Sequence, residues 1–136
     1  MPPTSATRSI SHWLLAFLLL LVAPLAQATF TINNDGTVTD PTTGLTWMRC
    51  AMGQTWNGTT CTGTASTYTY DQANALTGTV TFAGQSDWRL PNIRELQTIM
   101  NLSAYGPSID STAFPNFPNA PSNYFWSGSL YVGVNK

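Results

Sequence analysis

Charge is scarce in this sequence: only 8% of its 136 residues are Asp, Glu, Lys or Arg. Histidine occurs once, at His12, so beyond residue 28 there is no imidazole. That closes the Ser–His and Cys–His nucleophilic schemes for the body of the chain. Glutamate also occurs once, at Glu95, which leaves little for paired-carboxylate chemistry. Beyond residue 28 the basic residues are Arg49, Arg89, Arg94 and Lys136. The acids are Asp35, Asp40, Asp71, Asp87, Glu95 and Asp110, giving a formal net charge of −2. A generic nucleic-acid binder needs a basic surface, so the balance argues against that class and leaves room only for a local basic patch. Two cysteines without a histidine do not make a zinc site. There are no internal repeats and no long charge runs. The apolar run Trp13–Val22 is short for a membrane span, which makes an uncleaved anchor its weaker reading.

That run has another reading. Arg8 precedes it as a short positive region, and Ala26-Gln27-Ala28 follows as a small-x-small cleavage site. Residues 1–28 therefore read as a secretory signal peptide, leaving one domain at 29–136 with no membrane segment after cleavage. Export bears on the cysteines. An even count in an exported chain predicts a disulfide between Cys50 and Cys61.

The domain begins with short strands. Phe30, Ile32 and Val38 alternate with polar residues around Asn33-Asn34-Asp35-Gly36, a hairpin signal. As a calcium loop this stretch fails, because Thr42 stands where the EF-hand pattern needs a bidentate Glu. Asp40 to Gly44 makes a second turn, and Leu45 and Trp47 alternate as a further strand. Residues 50–68 are rich in Thr, Gly and Ser and read as an exposed loop stapled by the disulfide, with Trp56 exposed in it. Asn57-Gly58-Thr59 and Asn101-Leu102-Ser103 match the glycosylation pattern, which is common by chance.

Two helices follow. Thr69 and Gln72 are spaced as a capping box, Ala73 and Leu76 give an apolar side, and Gly78 ends the first helix. Asn92 and Glu95 form the same box for the second, with Ile93, Leu96, Ile99 and Met100 on one face. Residues 103–123 hold four prolines and read as a surface loop anchored by Phe114 and Phe117. Tyr124-Phe125-Trp126-Ser127 then starts a strand. Strands, two helices, loop and strand make an α+β order, not βαβ repeats.

The densest stretch is "SDWRLPNIREL" at 86–96. Trp88 and Leu90 point one way on an extended segment, into a core. Pro91 ends that segment and Asn92 opens the helix. Asp87 and Arg89 point the other way and are placed to hold the bend by charge-assisted bonds to backbone or to each other. A fold-defining corner is the stronger reading. A ligand role for Arg89 is the alternative.

Three stretches carry a family resemblance: "DGTVTDPTTGLTWMR" at 35–49, "SDWRLPNIREL" at 86–96 and "FPNFPNAPSNYFWSGS" at 114–129. The chain resembles the Lcl C-terminal domain family, a secreted bacterial module named from a collagen-like adhesin. The resemblance implies a C-type lectin-like fold, two helices with a twisted, mostly antiparallel sheet. It also implies extracellular binding, with surface polysaccharide or glycosaminoglycan as the ligand class. Family members continue through two further strands after the "WSS" element, whereas here only Leu130–Lys136 follow. The sequence thus reads as incomplete at its C-terminus relative to the family. An opening strand left unpaired would offer an edge for oligomerisation.

These features point to a secreted or envelope-located, non-enzymatic binding module for an extracellular glycan. The alternative is an envelope or pilus-associated domain that binds protein. Trp56, Arg89, Asn123, Tyr124 and Trp126 are the candidate ligand contacts, because aromatic faces stack on sugars while amides and guanidinium groups bond hydroxyls. For Trp126 a core position on a strand is the competing reading. Asp87, Trp88, Leu90, Pro91, Glu95 and Leu96 are assigned to structure. Asn- and Asp-rich loops suit calcium, but no spacing specifies a site.

Overall fold

The computed structural model describes residues 29–104, 106, 108–118 and 124–130. The signal-peptide reading of 1–28 and the candidate Asn123 lie outside the described residues. The described chain is α+β: two small antiparallel sheets and two short helices.

The first sheet is built by turn chemistry. Strands β1 (Thr31–Ile32), β2 (Thr37–Thr39) and β3 (Thr46–Met48) lie in the order β1-β2-β3, with Val38 opposite both Ile32 and Trp47. The first hairpin closes as Asp35 Oδ1 accepts from the Thr37 amide (3.0 Å) and hydroxyl (2.6 Å). The Thr37 hydroxyl bond is the main reason the Asp35 carboxyl sits below its ordinary value. Gly36 takes φ +85°, and a Cβ there would lie 2.8 Å from the Trp56 ring. Only glycine meets both demands. At the second turn Asp40 is buried. Burial pushes its carboxyl up, but hydrogen bonds from the Thr43 hydroxyl and the Thr42 amide outweigh it and hold the carboxyl low.

The expected exposed loop at 50–68 contains a second hairpin instead. Strands β4 (Thr55–Trp56) and β5 (Cys61–Thr62) pair antiparallel, with Trp56 opposite Cys61. The turn is Asn57-Gly58, whose Asn57 Oδ1 accepts from the amides of Thr59 and Thr60 at 3.0 and 2.9 Å. An Asn-Gly between Thr-rich pairs is a hairpin signal in its own right. The Cys50–Cys61 disulfide is formed and ties this hairpin to the end of β3. The single sheet expected from the sequence is thus split in two.

Both capping boxes form as expected. Helix α1 is Tyr70–Ala75 with Thr69 as N-cap, and helix α2 is Ile93–Thr98 with Asn92 as N-cap. Gly78, at φ +72°, follows α1, and its amide donates to the Trp88 carbonyl at 2.8 Å. The face expected of α2 is only half used. Leu96 and Ile99 pack into the core, whereas Ile93 and Met100 are half exposed.

The core lies between the first sheet, α2 and the loop after it: Val38, Ile99, Ile109, Ala113 and Phe114, flanked by Phe30, Trp47, Leu96 and Phe117. Phe114 is 2% exposed, and truncating it to alanine would cost about 3–5 kcal/mol. An edge-to-face chain runs outward from it. Phe30 and Phe117 each meet the Phe114 ring at 5.5 and 6.3 Å, and Phe117 stacks on Phe125 at 4.7 Å. The strand expected at 124–127 is absent. This segment is held by individual bonds to other parts of the fold, not by a strand partner.

Candidate functional site

The 86–96 stretch is a corner, and it has a second task. Arg89 reaches Glu95 through two parallel bonds, NH1 to Oε2 at 2.8 Å and NH2 to Oε1 at 2.7 Å, and NH1 also donates to the Leu90 carbonyl. Glu95 Oε2 accepts from the Asn92 amide at 2.8 Å. The Arg89 hydrogen bonds, then the Asn92 amide, hold the Glu95 carboxyl at about 2 against an ordinary 4.5. Asp87 is not Arg89's partner. Glu95 is, because the helix turns it back over the bend. Trp88 packs edge-on against Phe82 and donates to the Phe82 carbonyl at 3.1 Å. It therefore anchors the 82–88 loop. Arg89 is half exposed, with both terminal nitrogens bonded to Glu95, and so forms part of the frame.

What this corner presents is backbone. The Pro91 carbonyl accepts from the Gly128 amide at 2.8 Å, and the Ile93 amide donates to Ser129 Oγ at 2.9 Å. Ile93 is the first residue of α2, whose amide lacks a partner within the helix. The start of α1 supplies the third tie: Trp126 Nε1 donates to the Tyr68 carbonyl at 2.8 Å. The segment 126–129 is thus pinned across the beginnings of both helices.

Those ties shape a cleft. Tyr70, Phe125, Trp126, Ser127, Ser129 and Leu130 line a volume of about 370 Å³. That lies within the size range of small-ligand sites. The Tyr70 and Trp126 rings meet at 72° with centres 5.8 Å apart, forming an angled pair. Phe125 is steadied from behind by Phe117 and so by the core. Trp126 is 47% exposed and Leu130 84% exposed. Tyr124, 91% exposed, adjoins the cleft in sequence without lining it.

Of the sequence candidates, the structure brings Trp126 into the cleft and leaves Tyr124 beside it. Trp56, expected to be exposed, is half-buried. It lies against Gly36 and Phe82, with the Arg49 guanidinium carbon 4.4 Å from its ring centre. Arg49, which the sequence reading passed over, is 6% exposed. Its Nε and NH2 donate to the carbonyls of Ala113 and Thr112 at 2.8 and 2.6 Å. Tyr70, Phe125, Ser127, Ser129 and Leu130 were also passed over. Their one sequence signal was the aromatic cluster at 124–126 ending in Ser127. A smaller cavity of about 110 Å³ lies beside the disulfide, lined by Met48, Cys50, Met52 and Phe82 among others. Among the described residues no three His, Cys, Asp or Glu side chains come together as metal ligands.

The fold and this surface define a small α+β module that displays an aromatic cleft. A family model, the Lcl C-terminal domain, matches residues 36–136, and the chain belongs to that family. The family is adhesin-associated, which points to binding of some partner in an extracellular or envelope setting. No curated protein and no solved structure matches the chain significantly. No helix among the described residues is long and apolar enough to cross a membrane.

Proposed function

We propose that this protein is an exported, non-enzymatic binding module that recognises surface polysaccharide or glycosaminoglycan through the cleft between Tyr70 and Leu130. The cleft itself carries the reading. Aromatic walls, an aliphatic rim and serine hydroxyls suit the C–H faces and hydroxyl edges of a sugar ring. Adhesin-associated family membership supports the setting. The cleavage pattern after Ala28 supports export, with the mature domain released into the periplasm or medium. Asn123, adjacent in sequence, belongs to the proposed contact set with Tyr124 and Trp126. A C-type lectin-like arrangement of the two helices and the sheets belongs to the same reading.

A glycan array probed with the purified chain, with calcium and with chelator, tests it. Binding to a defined polysaccharide class, lost in the cleft variants Tyr70→Ala and Trp126→Ala, is the expected result. A blank array from well-folded protein favours the second reading, an envelope protein-interaction domain. The half-exposed Ile93 and Met100 and the exposed Leu102 support that alternative.

A further inference from the structure

We infer that the cleft takes an uncharged saccharide, not a sulphated or uronate-rich one; this rests on the polysaccharide reading above and narrows it. Two independent observations converge. The first is the lining. Among the described residues the six that line the cleft are uncharged, three of them aromatic and two serine. An aromatic face attracts the weakly positive C–H groups of a pyranose and gives nothing to a sulphate. The Tyr70 and Ser127 hydroxyls line the cleft and can bond the hydroxyls of a sugar. The Trp126 indole N–H, by contrast, is spent on the Tyr68 carbonyl, so Trp126 offers the ligand only its ring.

The second observation is where the cations are. Recognition of a polyanion needs several Lys or Arg side chains turned outward together, each neutralising a ligand charge. The described residues include three basic side chains. Arg49 is buried, with its donors on two carbonyls and its face on Trp56. Arg89 is closed on Glu95 through both oxygens. Arg94 is exposed and does not line the cleft. Of the three arginines one is buried, one is paired with the fold's own carboxylate and one is exposed away from the cleft, and the described residues that line the cleft are neutral. A charged glycan would leave its anions unpaired beside apolar rings, a desolvation cost with no return.

The test is affinity electrophoresis and tryptophan-fluorescence titration of the purified chain at low and high salt. Laminarin and galactomannan serve as uncharged probes, heparin and chondroitin sulfate as sulphated ones. The expected result is binding to an uncharged probe, with affinity changing less than about twofold between the two salt levels. Tyr70→Ala and Leu130→Ala, both near the surface and compatible with folding, weaken it about tenfold with unchanged circular dichroism. Arg94→Ala leaves it unchanged. Preference for heparin, falling steeply with salt and lost in Arg94→Ala, overturns the inference and leaves the polysaccharide reading standing. Binding of an uncharged probe that ignores both cleft substitutions also overturns it. A well-folded protein that binds none of the four probes overturns this inference and the polysaccharide reading together.

Discussion

The guanidinium of Arg49 lies over the Trp56 ring at 4.4 Å while its donors hold the carbonyls of Thr112 and Ala113. One side chain thereby joins the end of β3, the β4–β5 hairpin and the loop that supplies Phe114 to the core. Arg49→Lys keeps the charge and loses the planar fork and the stacked face. Two carbonyls then lose their partner, and stability falls by about 2–4 kcal/mol. Urea unfolding of the variant against wild type measures it. A midpoint unchanged within error would show that Arg49 is dispensable.

Gly36 also lies against this tryptophan. Gly36→Ala forces a side chain into φ +85° and sets its methyl 2.8 Å from the indole. The expected loss is about 2 kcal/mol or more, because strain and overlap add. Thermal melting checks it, with near-ultraviolet circular dichroism reporting on Trp56.

The Arg89–Glu95 pair makes stability depend on acid. The folded carboxyl titrates at about 2 and the unfolded one near 4.5. Its contribution is therefore complete above about pH 4.5 and is lost as pH falls toward about 2. Arg89 is half in water, so screening leaves about 1 kcal/mol of this. Asp35 and Asp40 are also held low and add losses of the same sign. Urea midpoints across this range should fall with acid in wild type and fall less in Glu95→Gln. Parallel pH curves for the two proteins would remove Glu95 from the account.

Reduction of Cys50–Cys61 frees the β4–β5 hairpin from the end of β3. The sequence separation of 11 corresponds to about 3 kcal/mol by the chain-entropy model. Dithiothreitol should lower the melting temperature and shift tryptophan emission to the red as Trp56 loses its cover. An emission spectrum indifferent to reductant would mean that the Arg49 stack survives without the bridge.

Trp126→Phe keeps an aromatic ring in the cleft and removes the bond to the Tyr68 carbonyl across 58 residues of sequence. Because the site is half exposed, the cost to global stability is about 1 kcal/mol or less. The local effect is larger. Hydrogen exchange at the Gly128 amide, which is pinned to Pro91 in the same segment, should accelerate. Unchanged protection there would show that the segment is held without the indole.

The parts written in local chemistry were legible in the sequence. Thr69 with Gln72, and Asn92 with Glu95, announce their helices because a capping box is closed within four residues. The Asp35-Gly36 turn announces the first hairpin for the same reason. The second hairpin carries an equal signal in Asn57-Gly58, hidden among threonines and glycines that read as a loop. The disulfide followed from compartment and count alone.

What the cleft is made of was decided only in three dimensions. Nothing in the spacing of Tyr68, Pro91, Ile93 and Trp126 says that two carbonyls and an amide from the helix starts fix the 126–129 segment. Those bonds depend on where the corner at 86–96 folds back. Nor does composition reveal which arginines are spent within the fold, since Arg49 and Arg89 look like free surface charges until a pair of carbonyls and a carboxylate claim them. By itself the sequence determined the caps, turns and bridge, whose partners lie within a dozen residues of each other. Tertiary packing decided which aromatics stay exposed and which charges are spent, because those partners are brought together only when the chain closes on its core.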